Sequence, residues 1–208
     1  YQALATEDAN GANTAVGYQS LKTLNAGADG NNTAVGYISG VFLTTGIRNT
    51  LIGSTAGDAL TTGSYNTAIG YNSLGVSQDG TLNVAVGDNS LASNTTGASN
   101  VAVGQAALGS NTTASNNTAL GYLALNGNST GVSNTALGAY ALDANTTASN
   151  NTAIGVSALG ANTTGALNTA VGLEALNVNT TGAGNVAVGY ASLVANTTAS
   201  YNTAIGYT

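Results

Sequence analysis

Cysteine, histidine, proline, methionine and tryptophan are all absent from this chain of 208 residues. Without His or Cys, the common acid–base and nucleophilic constellations have no members. The lack of Cys removes disulfides and decides no compartment. Charge is nearly as scarce: charged residues are 5% of the chain, against roughly a quarter in typical soluble proteins. Lys22 and Arg48 are the basic residues, and the net charge is −6. That argues against nucleic acid as a partner, because phosphate binding needs Lys and Arg to displace counterions. It also removes the usual electrostatic attraction to anionic membranes. No apolar run approaches the roughly 20 residues of a membrane-spanning helix. No signal peptide is visible and the chain starts at Tyr1, which predicts a fragment or a processed product.

What remains is mostly Asn, Thr, Ala, Gly and Leu. Hydrophobic residues make up 43%, but many are Ala, and 29 residues are Gly. A single compact core is therefore not expected. Disordered chains pair low hydrophobicity with high charge. Here charge is missing and aliphatic residues recur at fixed places, which points to an ordered repeat.

The repeat opens on the Asn of N-T-A-V-G, taken as position 1. It falls at Asn13, Asn32, Asn49, Asn66, Asn83, Asn100, Asn117, Asn134, Asn151, Asn168, Asn185 and Asn202. The first interval is 19 residues and the next ten are 17. The consensus is N-[TV]-A-[VIL]-G-Y-x-[AS]-L-x-x-N-T-T-[GA]-x-x. The chain reads as one array: a partial coil 1–12, a 19-residue coil 13–31, ten 17-residue coils over 32–201, and a partial coil 202–208. Both ends fall at nearly the same phase, which suggests a slice of a longer fibre, since solenoids normally carry caps.

Helix is a poor reading, because Gly recurs in every unit and Asn, Thr and Val are mediocre helix formers. Alternation with β-branched residues between turn-prone clusters predicts strands. The expected fold is all-β: a parallel β-solenoid with two short strands per coil, one in N-T-A-V-G and one over positions 6 to 9. N-T-T-G then makes the return turn, with Gly at position 15 expected at positive φ. Coils with Ala there (Ala114, Ala148, Ala199) are expected to use a different turn.

Columns follow from this register. The Asn at position 1 predicts an amide ladder. The Gly at position 5, present in all twelve copies from Gly17 to Gly206, predicts a bend or a close backbone approach. The aliphatic position 4 and the Leu at position 9 are expected to form the dry interior, with the Thr or Val of position 2 also turned inward. Ala at position 3 and Gly at position 5 are expected to form a smooth outer face for another copy of the same chain. Gly40 and Gly57 replace Leu at position 9, and Leu43 and Leu60 appear at position 12 of the same coils. This predicts a compensated interior and a locally different outer path in coils 32–48 and 49–65.

Asn83-Val84-Ala85-Val86-Gly87 and Asn100-Val101-Ala102-Val103-Gly104 resemble the head repeats of YadA-type trimeric autotransporter adhesins (Hep/Hag repeats). The longer N-T-A-[VI]-G-Y-x-A-L…N-T-T-G form is similar to repeats of bacteriophage tail-fibre β-solenoids. The resemblance covers essentially the whole chain. It implies a left-handed β-roll, three chains about one axis, and an attachment role outside the cell, on a cell surface or on a virion. The 17-residue coil is longer than the usual adhesin head repeat, and no neck, coiled-coil stalk or membrane anchor is seen in these residues.

No residue is assigned a catalytic, cofactor or metal role, and the chain is read as non-enzymatic. Glu7 and Asp8 are the adjacent acids, and Glu174 stands alone. Asp29, Asp79 and Asp143 lie in or near turns, without the calcium-binding nonapeptide pattern. N-T-T or N-S-T at Asn94, Asn111, Asn128, Asn145, Asn162, Asn179 and Asn196 matches the N-glycosylation pattern, although an Asn/Thr turn ladder accounts for it more simply. Tyr1, Tyr18, Tyr37, Tyr71, Tyr122, Tyr190 and Tyr207 share position 6, where they are expected either to contact a ligand or to cover a groove between chains. The expected function is a structural fibre segment, homotrimeric, with a host-surface glycan or protein as receptor. The alternatives are a self-assembling extracellular filament, or an ice- or glycan-binding solenoid.

Overall fold

A computed structural model describes residues 2–6, 11–27 and 30–208. The expectations that fell on Tyr1, Glu7, Asp8 and Asp29 lie outside these residues. Each repeat contributes one three-residue strand at positions 2 to 4, from β1 (Thr14–Val16) and β2 (Thr33–Val35) to β12 (Thr203–Ile205). All twelve form one parallel sheet in chain order. Like positions pair with like: Thr14 with Thr33, Ala15 with Ala34, Val16 with Val35. The protein is an all-β parallel solenoid of 17-residue coils, with no helix among the described residues.

The second strand expected over positions 6 to 9 is not there. That stretch is a tight turn in every coil. Positions 7 and 9 both take left-handed φ, for example 55° at Asn89 and 49° at Leu91. A non-glycine residue pays about 1–2 kcal/mol for this conformation. Hydrogen bonds between coils offset it: Asn89 N–H donates to the Tyr71 carbonyl at 2.9 Å and Leu91 N–H to that of Ala107 at 3.0 Å. The arc thus keeps strand-like bonding along the axis with turn-like dihedrals. It closes where the Asn94 N–H reaches the Leu91 carbonyl at 3.1 Å.

The interior also differs from expectation. Position 3, not position 4, points inward. Ala34, Ala68, Ala85 and their equivalents through Ala187 are fully buried beside the Leu column at position 9. Position 4 faces out, and Val16 is 57% exposed. Strand alternation allows either set to face in. Space decides it: a coil of this girth holds one methyl from position 3 against one isobutyl from position 9. An aliphatic residue at both would overfill it. The Ala–Gly outer face expected to meet another chain is therefore not formed, because Ala lines the core.

Leu51 demonstrates the shared volume. It is the one Leu at position 3 and it is fully buried. Position 9 is glycine in its own coil, at Gly57, and in the preceding coil, at Gly40. A Cβ on Gly40 would lie 2.7 Å from one Leu51 methyl, and one on Gly57 would lie 2.8 Å from the other. Leu43 and Leu60 are also fully buried, so the compensated interior is present, with Leu51 as its missing third part. The outer path of coils 32–48 and 49–65 is unchanged, however. Their turns, and the left-handed φ of 58° at Gly40 and 55° at Gly57, match those of the other coils.

Position 5 is glycine for two reasons. Its φ lies between 128° and 145° in all twelve copies, and a Cβ there would strike the next coil, as at Gly87, where it would meet the Gly104 carbonyl carbon at 2.7 Å. The Gly at position 15 takes positive φ in the 19-residue coil, 70° at Gly27, but not in the 17-residue coils. In the latter it is confined by the neighbouring carbonyl and by asparagine amides, as Gly97 is by Ala114, Asn94 and Asn111. Ala114 and Ala148 follow the same bends as their glycine counterparts, so one turn serves both sequences.

Candidate interaction surface

Two asparagine ladders hold the coils together. At position 1, Asn49 donates its backbone N–H (2.9 Å) and its Nδ2 (3.1 Å) to Oδ1 of Asn32. The same Nδ2 reaches the Gly63 carbonyl of its own coil at 2.9 Å. At position 12, Asn145 Nδ2 donates to Asn128 Oδ1 at 2.8 Å and to the Ala148 carbonyl at 3.0 Å. The Ala148 carbonyl also accepts from Asn134 at 2.8 Å. The carbonyl at position 15 thus ties the two ladders into one network. Burial strengthens these bonds and makes any gap in them costly.

This geometry bears on the N-x-[ST] pattern. Asn94, Asn111, Asn128, Asn145, Asn162 and Asn179 are fully buried, with their amides spent as donors in the ladder, so the folded coil offers no glycan acceptor there. Asn196, on the last coil to carry the pattern, is half-buried. At position 13, threonine hydroxyls lie along the next coil; Thr95 Oγ1 donates to the Thr112 carbonyl at 3.0 Å.

The outward side of the sheet is different in kind. Position 2, expected to point inward, is half-exposed in most coils. It carries Thr in nine coils and Val in three, beside Val, Ile or Leu at position 4 in all twelve, with no charge in either column. Beyond the glycine bend, position 6 continues the exposed surface. Tyr18 stacks on Tyr37 with centroids 5.4 Å apart, and Tyr190 on Tyr207 at 5.0 Å. Tyr122 meets Tyr140 edge-on at 5.3 Å. The aromatic ladder is partial, as the sequence spacing implied. Val156 and Leu173 fill two of its gaps and are themselves exposed.

The acids are scattered. Asp79 is exposed and accepts from Thr62 Oγ1 at 2.6 Å. Asp58 and Asp143 share position 10 on different coils, and burial pushes both carboxyls above the ordinary aspartate range. Asp58 Oδ1 has no hydrogen-bond partner. Glu174 is half-buried. Among the described residues no three metal-ligating side chains come together, and no helix is long and apolar enough to cross a membrane. The search of family models, curated proteins and solved structures returns no match.

Proposed function

We propose that this chain is a non-enzymatic fibre segment: a homotrimeric, left-handed β-solenoid that extends a phage tail fibre or bacterial adhesin outside the cell and supports attachment. The observation that carries the reading is the charge-free stripe of Thr or Val at position 2 and Val, Ile or Leu at position 4, unbroken through all twelve coils on the outward side of the sheet. Eleven coil steps by three residues cover roughly 50 Å by 10 Å, about 500 Å². A contiguous patch of that size is about the largest an ordinary monomer exposes, roughly 300–600 Å², and such patches often mark binding surfaces. The stripe is the surface on which copies of the chain meet, in place of the Ala–Gly face. Left-handedness and the number three come from the repeat resemblance.

Light scattering tests it. The expected mass is three times the 20.1 kDa chain, and Ile69→Asp with Leu120→Asp, both on position 4, should release single chains. A stable, folded monomer of the unmodified chain would sink the proposal. A second reading gains from the outward turn of position 2. Thr in nine of twelve coils on one regular sheet is the arrangement an ice-binding face needs. Inhibition of ice recrystallisation by a single-chain species would favour it, and no effect would remove it.

A further inference from the structure

We infer that the stretch from Tyr71 to Tyr122 is a binding site for an unbranched, uncharged oligosaccharide lying along the solenoid axis. This rests on the attachment reading and names its ligand class. Along position 6, four successive coils present Tyr71, Asp88, Gln105 and Tyr122. The two rings are 59% and 45% exposed. Three coil steps separate them, roughly 14 Å at the spacing of hydrogen-bonded strands, which is about the span between the end rings of an extended tetrasaccharide. Tyrosine rings offer an apolar face for a sugar ring to stack on and a hydroxyl at the rim. Tyr122 is braced edge-on by Tyr140, at 87° between planes, so its orientation is set beforehand.

Between the rings lies a preassembled set of planar polar groups. Asn72 Nδ2 donates to Asn89 Oδ1 at 2.8 Å. Asn89 Nδ2 donates to Asp88 Oδ1 at 3.1 Å, and Gln105 Nε2 approaches Asp88 Oδ2 at 3.4 Å. Both carboxylate oxygens are oriented and keep lone pairs for vicinal hydroxyls. Fixing such groups in advance lowers the entropy cost of binding. Among the described residues no other part of position 6 combines two separated rings with this network: Tyr37 and Tyr71 flank only Ser54, and elsewhere the tyrosines stack on each other or give way to Ala139, Val156 and Leu173.

Two observations favour sugar over peptide and neutral sugar over acidic. Backbone groups beside the stripe are used between coils, as where Gly104 N–H donates to the Val86 carbonyl at 2.8 Å. An extended peptide therefore finds no open edge for main-chain pairing. The chain's two basic residues, Lys22 and Arg48, are on other coils, so an anionic sugar would meet Asp88 without a compensating cation.

The test is calorimetric titration of the purified protein with maltotetraose, cellotetraose and tetra-N-acetylchitotetraose. Saturable binding of at least one is expected, with the matching disaccharide severalfold weaker because it reaches only one ring. Tyr71→Ala and Tyr122→Ala should each weaken binding roughly three- to tenfold, Asp88→Ala should weaken it too, and Tyr201→Ala at position 17 should leave it unchanged. Circular dichroism and particle mass confirm that each variant is folded and assembled. Binding of none of the three tetrasaccharides, binding indifferent to both tyrosine changes, or capture of a peptide at these residues would overturn the inference. A trimer that binds no sugar overturns the site and leaves the fibre reading standing. A monomer that binds sugar does the reverse.

Discussion

At the scale of single residues, the chain rests on groups that are ordinary in water and costly when buried. Asn128 donates to Asn111 Oδ1 at 3.0 Å and to the Gly131 carbonyl at 2.9 Å, and accepts from Asn145. Asn128→Ala strands a buried acceptor and a buried donor. Each costs about 1–3 kcal/mol, so a clear drop in the urea midpoint is expected, whereas Thr147→Ala on the exposed turn should stay within about 0.5 kcal/mol of the original. The position 1 ladder was legible because Asn never varies there. The position 12 ladder was legible as an Asn/Thr turn ladder only from Asn94 onward, because Leu24, Leu43, Leu60 and Ser77 hold its first four levels. Asp58 gives a pH effect of known sign. Burial raises its folded-state pKa above the unfolded value, so the ionised form is disfavoured by folding. Its penalty is absent below the unfolded pKa, grows as pH rises through the folded pKa, and is constant above it. Asp58→Asn should therefore stabilise the protein at neutral pH, with the gain fading as pH falls toward 4, as read from thermal midpoints across that range.

At the scale of the coil, positions 3 and 9 act as one volume. Leu51→Ala empties a space that two glycines cannot fill, a change of about 2–5 kcal/mol for a buried leucine. Gly57→Leu alone overpacks the same space, and its left-handed φ of 55° is no obstacle, since leucine holds that conformation at position 9 of ten other described coils. Combined with Leu51→Ala, the new leucine should recover part of the loss. A double-mutant cycle with favourable coupling verifies this, and simple additivity would refute the shared volume. This coupling also shows what the sequence could convey. The 17-residue period, the strand at positions 2 to 4 and the Leu column were readable from recurrence. The side of the strand that faces in was not, because Thr-Ala-Val alternates equally well either way. The clue lay in Leu51, whose bulk coincides with glycine at position 9 of its own and the preceding coil. The turn at positions 6 to 9 stayed hidden for a related reason: leucine at positive φ contradicts its local preference, and only bonds between coils make it tenable.

At the scale of the whole rod, each coil touches only its neighbours, so stability is close to a sum of coil and interface terms. Coils are then removable where their neighbours match. Deleting residues 117–133 joins coil 100–116 to coil 134–150, and every inward column continues: Ala102 to Ala136, Leu108 to Leu142, Asn111 to Asn145. The shortened chain should fold, assemble as before and lose about 5 Å of length, measurable by small-angle scattering. Deleting 49–65 removes Leu51 and leaves Gly40 facing the Ala68 coil with no leucine to fill its level. That chain should be markedly less stable, although its composition changes no more. The same operation separates assembly from recognition. Loss of 117–133 removes Tyr122 and brings Tyr140 one coil nearer, at position 7 of the next unit, so a particle of unchanged subunit number should bind the tetrasaccharide more weakly. Deleting 151–167 instead keeps Tyr71 through Tyr140 and the inward columns intact. It should shorten the rod by the same step and leave sugar binding as it was. If both deletions reduced binding equally, recognition would belong to the length of the rod and not to the side chains on its sixth column.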